Sequence, residues 1–200
     1  AGELRAIVGG RDTPTIKKGL NRAQSPSEVG SSIKPLAVYG PALDMGASPA
    51  TIIKNFPCPI EGWDSEKGYP YIGSESYIGP LTLRQGVVNS LNVAAARTLL
   101  EHVGFDNSAN YLELLGVDPS RISKTGSAMA LGTTNITPIE MAAAYGAIAN
   151  GGEYQEPLSF TRIVDESGKV ILDADEIREK HTVFKKSTAY MLVDILTEAG

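Results

Sequence analysis

Strand-like segments near both ends of the chain, with helix-like segments between them, predict an α/β (α+β) domain. Three observations carry that prediction. Residues 3–10, Glu-Leu-Arg-Ala-Ile-Val-Gly-Gly, alternate loosely and close on a glycine pair, as a strand entering a turn does. Residues 159–172 place two apolar runs on either side of Asp-Glu-Ser-Gly, the pattern of a β-hairpin. Between these, Thr137-Pro138-Ile139-Glu140 combines a capping residue, a proline at the first helical position and an acid three residues after the cap.

The elements follow in order. Residues 11–30 are polar and rich in Pro, Ser and Gly, and read as loop. A helix is expected from Ser31, with Ile33, Leu36, Ala37, Ala42 and Leu43 on one side. Pro35 is tolerated in its first turns, and Pro41 predicts an end or kink. Residues 55–80 hold eight Pro and Gly residues and five aromatics, among them Trp63, Tyr69, Tyr71 and Tyr77. A long irregular stretch is expected there, its aromatics either lining a cleft or, more simply, packing beneath a loop. Thr82 caps a short helix, Leu83 to Asn89. Further helices are expected from Asn92 to His102, closed by Gly104, and from Asn107 to Leu115, closed by Gly116. The helix begun at Thr137 runs through Met141 to Ala149. A last helix covers Ser187 to Glu198.

Composition excludes several function classes. The chain has 200 residues, 42% hydrophobic and 20% charged, which suits one domain with a true core. A net charge of −5, with scattered basic residues, gives a nucleic-acid partner no support. The single cysteine, Cys58, cannot form an intrachain disulfide and reads as a structural thiol. His102 and His181 are isolated in sequence, and no metal-ligand spacing occurs. No apolar run reaches membrane-spanning length. Ala-Gly-Glu-Leu-Arg is no natural start, so the sequence reads as a piece excised from a longer protein.

Candidate chemistry begins at Ser31-Ser32-Ile33-Lys34, a Ser-x-x-Lys pattern. At a helix start, positions three apart share a face, so Lys34 can reach the Ser31 hydroxyl. The helix N-terminus and burial both disfavour a charged lysine there, and a neutral amine can take the serine proton. Taken alone, the same four residues are better read as a capped surface helix with an exposed lysine. Ser90-Leu91-Asn92 and Ser108-Ala109-Asn110 both match Ser-x-Asn. In such a triplet the serine can relay a proton and the asparagine can hold a carbonyl, although both residues also cap helices routinely. Lys124-Thr125-Gly126 matches a third triplet, but falls in a predicted loop and reads as coincidence.

Taken together, these segments resemble the transpeptidase domain of class A, bifunctional penicillin-binding proteins. Ala6 to Asp12 is similar to the family's opening strand. Gly30-Ser31-Ser32-Ile33-Lys34-Pro35 is similar to its first motif, and Gly79 to Gln85 leads into Ser90-Leu91-Asn92 as the second. Leu131-Gly132-Thr133-Thr134, Thr137 to Ala142 and Ala149 to Gly152 form a further signature, and Thr188 to Leu192 resembles the helix before the third motif. The resemblance selects Ser90 over Ser108 and puts the third motif, Lys-Thr-Gly, beyond Gly200. Gln24 to Val29 lacks the Arg-Gln-Pro often found before the first motif, and Ile33 replaces the commoner phenylalanine.

The resemblance implies a single transpeptidase domain over residues 1–200, without the C-terminal strands, in which helices pack around an antiparallel sheet. It implies Ser31 as nucleophile, Lys34 as base, Ser90 as proton relay, and Asn92 and Ser32 as substrate-binding residues. The substrate would be a peptidoglycan stem peptide ending in D-Ala–D-Ala, with β-lactams acylating the same serine and no metal or organic cofactor. The parent would be membrane-anchored, carry a glycosyltransferase domain and work on the outer face of the cytoplasmic membrane. A second chain could carry the rest of the domain. Two other readings share part of the pattern: a D,D-carboxypeptidase or β-lactamase of the same fold, and a non-catalytic sensor module that binds penicillin or peptidoglycan.

Overall fold

The computed structural model describes residues 2–11, 17, 19–56 and 77–199. Cys58, Trp63, Tyr69 and Tyr71, singled out in the sequence, lie outside the described residues.

The centre of the fold is one helical run from Gly30 to Asp44. It opens as a 3₁₀ turn (Gly30–Ile33), widens into a π turn (Pro35–Tyr39) and ends as α1 (Gly40–Asp44). Ile33, Leu36, Ala37, Val38 and Tyr39 are all fully buried, and from residue 33 to residue 43 the run is covered throughout, whereas Ser31 and Ser32 at its start are exposed. Pro41 does not end it. The residue sits in the first turn of α1, where the wider π spacing has already carried the Gly40 N–H back to the Pro35 carbonyl. Proline offers no N–H to the carbonyl four residues back, Ala37. The Ser108 hydroxyl donates to that oxygen at 2.7 Å.

Other elements close around this helix. Among the described residues the strands pair two by two, all antiparallel. These pairs are β1 (Ser27–Glu28) with β4 (Asn135–Ile136), β2 (Ile52–Asn55) with β3 (Gly79–Thr82), β5 (Glu153–Gln155) with β8 (Lys180–Thr182), and β6 (Arg162–Val164) with β7 (Val170–Asp173). The β2–β3 pair joins the two ends of the stretch expected to be irregular, with Asn55 opposite Gly79. Composition hid it, because Pro80 and Gly79 are poor strand formers and Ile53 and Leu81 supply the only buried apolar contacts. Residues 3–10, expected as a strand, form only a parallel bridge between Glu3 and Leu158, with Leu4 N–H on the Leu158 carbonyl at 2.9 Å. A strand is defined by its partner, and among the described residues nothing pairs with residues 5–10 as a ladder.

The helices match their signals closely. Thr82 and Gln85 form a capping box at the start of α2 (Leu83–Val88), and Thr137 and Glu140 form one at α5 (Pro138–Ala149). Between them lie α3 (Asn92–Thr98), extended by a π turn (Leu99–Val103), and α4 (Phe105–Leu114). After β7 come the short α6 (Ala174–Ile177) and then α7 (Lys186–Leu196), which packs on α1, α2 and α5. Arg84 on α2 ties α7 down through Asp194 and, at 2.5 Å, Glu198. Asp44 binds α1 to two neighbours, accepting from the Tyr111 hydroxyl and the Lys185 N–H, both at 2.8 Å.

Candidate active site

The chain reaches the Gly30–Ile33 turn, which carries Ser31, through β1. Its partner β4 lies just beyond Gly132, whose carbonyl accepts the N–H groups of Val29 and Gly30 at 3.1 and 3.0 Å. Gly30 turns at φ +57°, and the 3₁₀ turn begins there. Ser31 sits on its first turn, exposed, with one of the N–H groups that a helix start leaves without an intrahelical partner.

Lys34, one turn on, is 2% exposed. Its Nζ donates to the Ser90 carbonyl at 2.7 Å, contacts the Ser90 Oγ at 3.3 Å and donates to the Asn92 Oδ1. A buried amine needs such partners, because an unpaired charge in the interior is costly. As an ammonium it gives one N–H to each acceptor. As a neutral amine it keeps two and turns its lone pair to a neighbouring hydroxyl.

Ser90 is where it is because of how α2 ends. Its N–H bonds the Val87 carbonyl at 2.9 Å and the next N–H, of Leu91, bonds that of Gly86 at 3.0 Å, the paired closure that usually has glycine in the left-handed position. Ser90 holds φ +51° instead, the one non-glycine residue among those described to do so. An L-residue there is strained by about 1–2 kcal/mol. The strain turns both the carbonyl and the hydroxyl of Ser90 onto Lys34.

Ser31, Lys34 and Ser90 share one cleft of about 310 Å³, walled by Tyr39, Val87 and Tyr145 and closed at one end by Leu196 and Ala199 of the C-terminal helix region. Asn92 stands behind the lysine rather than on the cleft wall, its Oδ1 turned onto Nζ. Ser32 is exposed and off the cleft lining, with its hydroxyl donating to the Val29 carbonyl at 2.6 Å. The rival triplet serine, Ser108, is fully buried on α4 and bonds Ala37, so its hydroxyl supports the central helix. Lys124 pairs with the exposed Asp106 at 2.6 Å in a loop, away from any strand. Cys58 and the four named loop aromatics, apart from the exposed Tyr77, lie outside the described residues. Among those described, no group of His, Cys, Asp and Glu could hold a metal ion. His181 contacts the Leu114 carbonyl at 2.7 Å and lies against the Tyr154 ring. Sequence reading missed Tyr145, whose hydroxyl donates to the Ser32 carbonyl at 2.8 Å. Its only signal was its position inside the segment 137–152.

A reachable serine, a buried amine one turn away and a second serine on that amine make the grouping a serine acyl-transfer enzyme would use. Comparison with known proteins gives the family. A sequence model described as "Penicillin binding protein transpeptidase domain" matches residues 1–199, and the chain belongs to that family. It is 35% identical over 208 residues to penicillin-binding protein 1A of Clostridium acetobutylicum, covering 98% of this chain and 25% of that protein. The chain thus spans about a quarter of the length of this curated relative. In structure it resembles penicillin-binding protein 1A of Haemophilus influenzae, with a TM-score of 0.76 and 28% identity over 90% of this chain and 31% of that one. It also shares the fold of PonA1 from Mycobacterium tuberculosis, solved in complex with penicillin V, with a TM-score of 0.74 and 23% identity over 89% of this chain and 48% of that one. The chain is therefore a transpeptidase domain of the penicillin-binding protein 1A kind, with the α/β fold of that family.

Proposed function

We propose that this domain is a peptidoglycan D,D-transpeptidase working through an acyl-serine. One observation carries the reading: the buried amine of Lys34 is held on Ser90 and Asn92 in the cleft that Ser31 lines. Ser31 Oγ attacks the carbonyl of the D-Ala–D-Ala bond in a stem peptide, and its proton passes to the neutral amine of Lys34. The tetrahedral oxyanion meets the outward N–H of Ser31. Collapse breaks the C–N bond, and the departing D-alanine amine takes its proton from Lys34 through the Ser90 hydroxyl. An amine from a neighbouring strand then attacks the ester, returns a proton along the same route and frees Ser31. Asn92 Oδ1 orients the lysine, so any substrate contact of Asn92 falls to its Nδ2. The Ser32 hydroxyl, committed to Val29, leaves that residue to serve the substrate through its backbone.

β-Lactams would acylate the same serine, a reading supported by the fold shared with PonA1, which was solved with penicillin V. The stem peptide lies outside the cytoplasmic membrane, so the reading puts the protein there. It also assigns an anchor and a glycosyltransferase domain to the longer chain, of which these residues match about a quarter in the curated relative. Among the described residues, no helix is long and apolar enough to cross a membrane.

Incubation with a labelled penicillin, digestion and mass spectrometry test this reading. A stable adduct is expected on the peptide holding Ser31 and none in Ser31→Ala. Rapid release of hydrolysed drug would favour a β-lactamase. No adduct in this chain or in the intact protein would leave a non-catalytic binding module.

A further inference from the structure

We propose that Gly132 and Tyr145 are positioning residues that fix the peptide groups on the two sides of Ser31. This rests on Ser31 being the acylated residue. Ser31 is exposed, so its placement comes from its backbone, which is held from both directions.

On the N-terminal side the short ladder of Ser27 with Ile136 and Glu28 with Asn135 brings the segment after Gly132 alongside the approach to the nucleophile. Gly132 then takes over where the ladder stops, its carbonyl accepting both Val29 and Gly30 N–H groups. The fit leaves no room for a side chain. Gly132 has φ +81°, and a Cβ on it would stand 1.9 Å from the Gly30 oxygen and 2.5 Å from the Gly30 carbonyl carbon. Those are backbone atoms of the residue just before Ser31, so the clash can be relieved only by moving the nucleophile turn or the 127–132 segment. On the C-terminal side Tyr145, reaching in from α5, donates to the carbonyl of Ser32. The same ring walls the cleft. Glycine at one position and a phenol at the other therefore set where Ser31 Oγ and the Ser31 N–H point, and neither residue is seen to bond Ser31 itself.

The test is the rate of acylation by a labelled penicillin in the intact protein, resolved into a noncovalent Kd and a first-order acylation constant. Misplacing a reacting group by an ångström costs about 100-fold, which is the fall expected in the acylation constant of Gly132→Ala. Loss of one hydrogen bond predicts a fall of about 5-fold in Tyr145→Phe, with Kd unchanged and the thermal midpoint lowered too little to account for the loss of rate. Three results would overturn the proposal: wild-type acylation constants in folded variants, a Tyr145→Phe effect confined to Kd, or a loss of rate that only tracks a lowered thermal midpoint. Should Gly132→Ala prevent folding, Tyr145→Phe decides alone. Labelling that persists in Ser31→Ala would instead remove the nucleophile on which the proposal rests.

Discussion

Single residues carry the chemistry here through their backbones as much as through their side chains. Ser90 shows this best. The end of α2 calls for glycine in its left-handed position, and serine stands there at φ +51°. Strain of this kind persists where the surroundings over-determine it, and here Lys34 donates to both the carbonyl and the hydroxyl of Ser90. Two substitutions separate the effects. Ser90→Ala removes the hydroxyl and keeps the strain, whereas Ser90→Gly removes both. Ser90→Gly is expected to unfold at higher denaturant than Ser90→Ala, by about 1 kcal/mol, because glycine adopts this conformation without a Cβ clash. Both should acylate slowly and to a similar degree, since both lose the hydroxyl proposed as the relay. Equal stability of the two in urea titrations would show that the left-handed turn stores nothing.

At the scale of elements, the central helix is stabilised by a substitution of donors. Pro41 removes the N–H that would serve the Ala37 carbonyl, and Ser108 on α4 supplies a hydroxyl in its place, with both groups buried. Ser108→Ala leaves that oxygen unsatisfied, and a loss of about 1–3 kcal/mol in unfolding free energy is expected. The acylation constant measured with labelled penicillin should stay unchanged, because neither Ser108 nor Ala37, the residue it bonds, lines the cleft. A loss of acylation without a loss of stability would reverse the assignment of the two Ser-x-Asn triplets. Local signals made most of these elements legible: the cap at Thr82, the capping box at Thr137, the helix closures at Gly104 and Gly116, the 162–173 hairpin and the Ser31–Lys34 spacing all follow from chemistry within a few residues. What stayed hidden depends on partners distant in the chain. The β2–β3 pair, the π turn that carries the helix past Pro41, and the contact of Tyr145 with Ser32, 113 residues away, leave no local trace. For the same reason residues 3–10 were misread, since alternation alone cannot supply a neighbouring strand.

Over the whole molecule, titratable groups set a window of pH stability with different origins at its two edges. On the acid side, four aspartates, Asp106 and Asp165 exposed and Asp118 and Asp173 half-buried, are held below their ordinary value of 3.8. Hydrogen bonding to Lys124 does this for Asp106, to the Ser120 hydroxyl for Asp118, to the Ser167 hydroxyl for Asp165 and to the Asp175 N–H for Asp173. Depressed carboxyls stabilise the fold above the unfolded value and lose that contribution as pH falls through the folded one. On the alkaline side, burial is the main force raising three tyrosines above 10.0: Tyr145 and Tyr154 are pushed up to about 12, and Tyr111 higher still, its hydroxyl held also by Asp44. Between the unfolded and folded values the unfolded chain binds fewer protons than the native one, so stability falls as pH rises through that range. Thermal midpoints should therefore be level between about pH 5 and pH 9 and decline on both sides. The alkaline decline should be the steeper, because burial drives the tyrosine shifts whereas hydrogen bonds drive those of the aspartates, screened by solvent at the exposed Asp106 and Asp165. Tyr111→Phe tests the origin of that edge. Phenylalanine keeps the stacking on Phe184, 5.4 Å between ring centres, but cannot ionise against Asp44. The variant should lose some stability at pH 7 and show a shallower fall above pH 10. An alkaline limb as steep as in the wild type would place the responsible ionisation elsewhere in the chain.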